Sequence, residues 1–377
     1  IPMRVFHEYI NNSKLPTSKI SINTGISEED INDFKSQERF PTYNDLRKLS
    51  KFFKSPISTL LSKVEETPEY NFLFRKSVEE DIDLVVIDKF RKYISNILKI
   101  NADVKKIVPI REILKPANDN YQSAEILATE FRTLFFSADL QSPLTNLPQL
   151  LSHELGFVIK IMEAGSNADG ASAFVQDHIF LFVSPRFEGR MLFTLAHELG
   201  HILNHHSNEN FFYLDKNIPG NFNSSKGYQE RFANTFASAL LLPLNGIVTM
   251  LKKIREINRI PDDSPIGDIE ILYIARFYGV SFDVVANRFE HLSLIPEGGS
   301  YSLSQKIKKD FGSAEKRANE LGLPERIVLD FDLLPPFIIH KAVTLINEGR
   351  FSVERMAQML AIPLNRLIKY HAEFGDH

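Results

Sequence analysis

Met191–His201 reads MLFTLAHELGH, and the rest of the chain is read outward from it. His197 and His201 stand four residues apart with Glu198 between them. On an α-helix that spacing puts both imidazoles on one face, one turn apart, where they can grip one metal ion. Glu198 projects to the neighbouring side, where a carboxylate can reach a water on that ion. Leu192, Leu195, Leu199 and Ile202 add an apolar stripe at helical spacing, which predicts a buried helix. Gly200 costs helix stability relative to alanine, so it is expected to admit a close backbone approach, such as that of a strand.

A near copy of the string, Ser152–Phe157 (SHELGF), serves as an internal control. Phe157 stands where the second histidine would be, so His153 and Glu154 read as an ordinary helix end. A catalytic zinc ion takes three protein ligands and a water. The metzincin continuation would need glycine at position 204 and histidine at 207; the chain has Asn204 and Ser207. His205 lies a further turn along, about 6 Å beyond His201 at a rise near 1.5 Å per residue. That is too far to close a tetrahedron. His205 and His206 read instead as exposed residues at a helix C-terminus, which the dipole favours.

Gln229–Pro243, QERFANTFASALLLP, is a second helical stretch, with Phe232, Phe236, Ala239 and Leu240 as its packing face and Pro243 as its stop. Glu230, near its start, has two readings. It is a third metal ligand facing the histidines from an adjacent helix, or a first-turn carboxylate favoured by the helix dipole. Asn234 follows one turn later on the same face, where its amide oxygen can accept the free ring N–H of a ligating histidine.

HELGH followed by E-x-x-A-N-x-F-A-x-x-L-L-x-P resembles the ImmA/IrrE family of intracellular zinc metallopeptidases. The match runs over His197, Glu198 and His201, then Glu230, Ala233, Asn234, Phe236, Ala237, Leu240, Leu241 and Pro243. With flanking segments the resemblance covers about residues 120–295. It implies that His197, His201 and Glu230 hold Zn²⁺ and that Glu198 is the general base. It also implies the substrate, a single helix-turn-helix repressor or antitoxin cut in response to DNA damage, stress or phage.

The 377 residues suggest two or three domains. A hydrophobic content of 43% with 24% charged residues is that of an ordinary globular protein, and a net charge of −4 gives no general drive toward nucleic acid or membrane. The absence of cysteine excludes disulfides, thiolate zinc sites and a cysteine nucleophile, and fits a cytoplasmic, reducing compartment. No apolar run approaches the ~20 residues that span a bilayer. Four stretches are expected: a five-helix domain over 1–66, a helical linker region over 67–119, a zincin-like domain over 120–296 and a helical domain over 297–377. The fold class is mostly α, of the α+β type.

In the first stretch, TSKISINTGIS (17–27), Ile31, Phe34, Pro41-Thr42 and PISTLL (56–61) resemble the Xre-type helix-turn-helix repressor domain. That family places the helix after GIS in the major groove. Here Ser27–Ser36 holds four acids and one lysine, and residues 1–66 hold ten Lys/Arg against nine Asp/Glu. Phosphate neutralisation supplies most DNA affinity, so a domain kept for protein contacts, pairing with or mimicking a partner's own helices, is the favoured reading over operator binding. Lys35-Ser36-Gln37 also departs from the usual Glu-x-Gly.

Residues 63–76 read as a linker, and 77–107 as one long helix. Leu144–Leu155 reads as a helix capped by Thr145 or Asn146. FVIKIM (157–162), Ala173–Gln176 and HIFLFV (178–183) read as strands of a small antiparallel sheet, with Asp169-Gly170 as a turn. Phe174–Gln176 or His178–Val183 is expected to form the edge that holds substrate, with His178 at a strand end on the surface. Ser207–Tyr228 reads as a long polar loop, from which Tyr213 and Tyr228 are candidate oxyanion stabilisers. Near the end, GRFSVERMAQMLAIPLNRLIKY has Ser352 as N-cap, a helix through Leu360 and a last helix from Pro363. That unit leaves contact with DNA, with a partner or with a second copy open. A regulator or toxin–antitoxin component with a silent metal site is the alternative to the enzyme.

Overall fold

The computed structural model describes residues 6–7, 10–11, 16–53, 57–61, 84–100, 110, 114, 118, 120–163, 168–204, 211–215, 227–326 and 328–374. The expected linker 63–76 and the pair His205 and His206 lie outside them. The chain divides into two compact units. One gathers Ile1–Ala102, Asn210–Phe212 and His340–His377, the other Asp103–Glu209 and Tyr213–Ile339.

The first unit begins with α1 (Thr17–Thr24), α2 (Glu28–Ser36), α3 (Tyr43–Phe52) and α4 (Ile57–Leu60). Gly25 adopts φ 63° and stops α1. Ser27 then accepts a hydrogen bond from the Asp30 N–H and starts α2. Thr42 and Asp45 form a reciprocal capping box on α3. Ile20, Ile26, Ile31, Phe34 and Leu49 close the core between them. Gln37 takes the left-handed φ of 64° at the end of α2, the position where glycine would be unstrained. Within the span 77–107, where one long helix is expected, α5 runs Leu84–Lys99; residues 77–83 and 101–107 lie outside the described residues. The unit ends in α16 (Val353–Leu360) and α17 (Leu364–Phe374), with Ser352 capping the first of them.

In the second unit α6 (Tyr121–Phe135) precedes a short α7 (Leu147–Gln149) and one π-helical turn (Leu150–Glu154), where a single regular helix was expected. Strands β1 (Val158–Ile161), β2 (Gly170–Val175) and β3 (His178–Val183) follow, then α8 (Glu188–Asn204), β4 (Phe211–Asp215) and α9 (Tyr228–Leu241). Next come α10 (Leu244–Asn258), α11 (Asp268–Tyr278), α12 (Phe282–His291), α13 (Gly299–Phe311) and α14 (Ala314–Glu320). A last helix, α15 (Pro336–Asn347), begins in this unit and ends in the first.

The four strands lie in the order β1-β3-β2-β4. The expected antiparallel sheet is in fact mixed, because β1 runs parallel to β3 while β2 and β3 form an antiparallel hairpin. The hairpin turns at Gln176 and Asp177, both at positive φ (49° and 64°), the backbone of a type I′ turn. Asp169-Gly170, read as a turn, stands instead at the start of β2. The expected edge strand is also corrected, since β2 and β3 are both interior. His178 is buried between Phe180 and Phe337, not on the surface, and burial lowers its pKa. On the β1 side, Leu333 exchanges two backbone hydrogen bonds with Ile159 (2.9 and 3.0 Å), and Lys160 pairs with Asp332. That irregular segment covers the β1 edge, which leaves β4 as the outer strand on the other side.

Two buried arginines hold the C-terminal end of α9. Arg132 Nε donates to the Leu240 carbonyl at 2.7 Å, and its Nη1 donates to the carbonyls of Asp139 and Ser142. Arg288 Nε reaches the Leu242 carbonyl at 3.3 Å while its guanidinium pairs with Glu125. Both cations sit at the negative end of the helix dipole. Burial pulls the Arg132 pKa down to about 10, so the group stays charged at neutral pH. Arg132→Met should leave three carbonyls without this donor and cost about 3 kcal/mol, read as a lower midpoint in urea unfolding.

Candidate metal centre

Helix α8 is buried along nearly its whole length, from Met191 through Leu203. The close approach that Gly200 permits is made by a helix, not a strand. A Cβ built at Gly200 would lie 3.1 Å from Ala233 Cα and 3.1 Å from Phe236 Cδ1, both on α9. Small residues at the crossing, Gly200 on one helix and Ala233 on the other, bring the backbones together, and this carries Glu230 to the histidines.

His197, His201 and Glu230 form a buried group whose donor atoms all lie within 4.8 Å of one another. The two Nε2 atoms are 3.0 Å apart. Glu230 Oε2 lies 3.4 Å from His197 Nε2, and its Oε1 lies 3.6 Å from His201 Nε2. Ligands at 2.0–2.1 Å in a tetrahedron stand about 3.3 Å from each other. The observed triangle matches that spacing, so the donor set fits a zinc ion of ordinary geometry. His197 Nδ1–H donates to Asn234 Oδ1 at 3.0 Å, an arrangement that turns the Nε2 lone pair inward. Three donor atoms packed this closely suit a shared cation.

Tyr213, on β4, donates its hydroxyl to Glu230 Oε1, and its ring lies 4.8 Å from that of His201. Tyr228 does not join the cluster. It is 71% exposed, and its ring stacks under the Arg231 guanidinium at 4.7 Å. The long polar loop in which both tyrosines were expected is interrupted by β4, and the two residues fall on different elements.

Glu198 is fully buried on α8, about 100° around the helix from His197. A Cβ at Gly170 would come within 2.7 Å of Glu198 Oε1 and 2.6 Å of Thr194 Cγ2, so the start of β2 lies against the Glu198 carboxylate. Sequence reasoning missed Gly170 and Asp169 as neighbours of the site. Their only local signal was a turn-like dipeptide.

Residues 152–290 match the peptidase M78 family model, described as an IrrE N-terminal-like domain. The match supports a metallopeptidase-like domain of the IrrE/ImmA type, and it contains both site helices. No curated protein matches the chain. Among the described residues no single helix is long and apolar enough to cross a membrane. Replacing Gly200 by valine should push α8 and α9 apart. Overpacking costs about 1–3 kcal/mol, and metal affinity should fall at least tenfold, measured by titration against a chromophoric chelator.

Proposed function

We propose that this chain is a zinc-dependent endopeptidase that cuts one specific protein partner, a helix-turn-helix repressor or antitoxin, in stress- or phage-related regulation. The observation that carries this reading is the buried convergence of His197, His201 and Glu230 on the helix pair that also bears Glu198. The M78 match over the same residues supports it. A repressor partner makes the cytoplasm its compartment.

His197, His201 and Glu230 would hold the zinc ion, with Asn234 orienting the first of them. Zinc bound there supplies Lewis acidity, lowering the pKa of a water and polarising the scissile carbonyl. Glu198 takes the proton from the attacking water and delivers it to the departing amine. Among the described residues Tyr213 places a phenolic O–H on the cluster, and by turning that O–H from Glu230 it can donate to the oxyanion as the carbonyl becomes tetrahedral.

The first unit suits partner recognition better than operator binding. Glu28, Glu29 and Asp30 occupy the first turn of α2, where they would face phosphates in a groove-bound helix. An acidic helix of this kind repels DNA and can pair with a basic surface on a repressor.

Glu198→Gln should retain one zinc per chain while cleavage of a repressor encoded beside this chain falls by about 10²-fold or more. Cutting by that variant at the wild-type rate would overturn the general-base role. Asn234→Ala should weaken zinc binding by about 10–100-fold, read by chelator competition. Stoichiometric zinc with a stable, uncut partner complex would favour the alternative, a regulator or toxin–antitoxin component with a silent site.

A further inference from the structure

Helix α8 carries Arg190, Thr194 and Glu198 at i, i+4 and i+8, so the three lie along one face. That face meets the start of β2. Arg190 donates through Nε to Asp169 Oδ2 at 2.9 Å, and its Nη2 reaches the same oxygen. Arg186 Nε adds a third donor, at 3.3 Å from Asp169 Oδ1. Asp169 is 5% exposed, and a carboxylate so buried is costly to ionise unless it is paired. Its backbone is held as well, since Ser184 N–H donates to the Asp169 carbonyl at 2.8 Å and Ser184 Oγ–H to the Ala168 carbonyl at 2.9 Å.

These bonds fix the chain at the residue before Gly170, and Gly170 is the one that touches Glu198. A Cβ there would overlap both Thr194 and Glu198. The glycine is thus a flat wall, pinned by Asp169, against which the Glu198 carboxylate rests. We propose that Arg190, Asp169 and Gly170 form a clip between α8 and β2 that sets the position of Glu198 for proton transfer. They are positioning residues, and none of them touches the metal ligands. The inference rests on the hydrolase reading for its catalytic meaning, but the clip itself is measurable without any substrate.

The first experiment is a thermal-unfolding cycle on the full chain. Gly170→Ala should lower the midpoint by about 4 °C, through the overlap with Glu198 and Thr194. In a Glu198→Ala background one obstructing side chain is gone, and the drop should be about half as large. Equal drops in the two backgrounds would overturn the contact.

The second experiment uses zinc-loaded protein and a pool of decapeptides read by mass spectrometry. Gly170→Ala and Arg190→Met should each keep one zinc per chain and an unchanged KM. Their kcat should fall by about 10²-fold, the loss expected for roughly 1 Å of misplacement. Arg190→Lys, which restores a cation beside Asp169, should recover part of that loss. Zinc loss in step with activity, or a matching rise in KM, would reduce the clip to a general structural tie. Should the zinc-loaded wild type cut neither a peptide nor the repressor encoded beside this chain, the hydrolase reading is what fails, and the unfolding cycle still decides the clip.

Discussion

The crossing of α8 and α9 at Gly200 and Ala233 is the contact on which the candidate site depends. The histidines come from one helix and the carboxylate from another, 29 residues after His201 in the chain. Only a close crossing lets a side chain as short as glutamate reach across. A glycine in mid-helix is unfavourable by about 1 kcal/mol, and here that cost is offset by helix contact no larger residue would allow. The far end of α9 is fixed too, by the buried guanidinium groups of Arg132 and Arg288 on its terminal carbonyls. The helix is therefore held at both ends, and Glu230 near its N-terminus is not free to swing.

The site also manages its own charge. Glu230 sits in the first turn of α9, where the dipole stabilises a carboxylate. Tyr213 donates to one of its oxygens. The two readings of Glu230 drawn from the sequence, ligand and first-turn carboxylate, are not rivals, because a first-turn position suits the carboxylate that the proposed zinc site needs.

What the sequence made legible was local. The i, i+4 histidine pair and the cap at Ser352 both depend on residues within one helical turn. Asn234 was legible for the same reason, since it follows Glu230 by one turn. Contacts that depend on strand order were not. Nothing in HIFLFV reveals that both its neighbours are strands, so the edge was assigned to an interior strand. A type I′ turn made of Gln176 and Asp177 lacks the glycine that usually announces it. Strand β4 was hidden in a polar stretch, because five residues leave too short an alternation to detect. Gly200 was correctly read as a point of close approach, but its partner could be named only from the packing. Gln37 shows the reverse case, in which a left-handed cap is kept without the glycine that normally marks it.

Adjacent residues on a helix point about 100° apart, and α8 uses that rotation to separate two tasks. His197 and His201 face α9, where small residues and Asn234 set the positions of the imidazoles. Glu198, one residue from His197, faces β2, where Gly170 lies against it. The proposed metal binding and proton handling therefore rest on different walls of the same helix. A disturbance of the sheet reaches the carboxylate first, and a disturbance of the helix crossing reaches the ligands first. Strand β4 reaches the histidine and glutamate side through Tyr213 on Glu230. Its first residues belong to one compact unit and its remainder to the other.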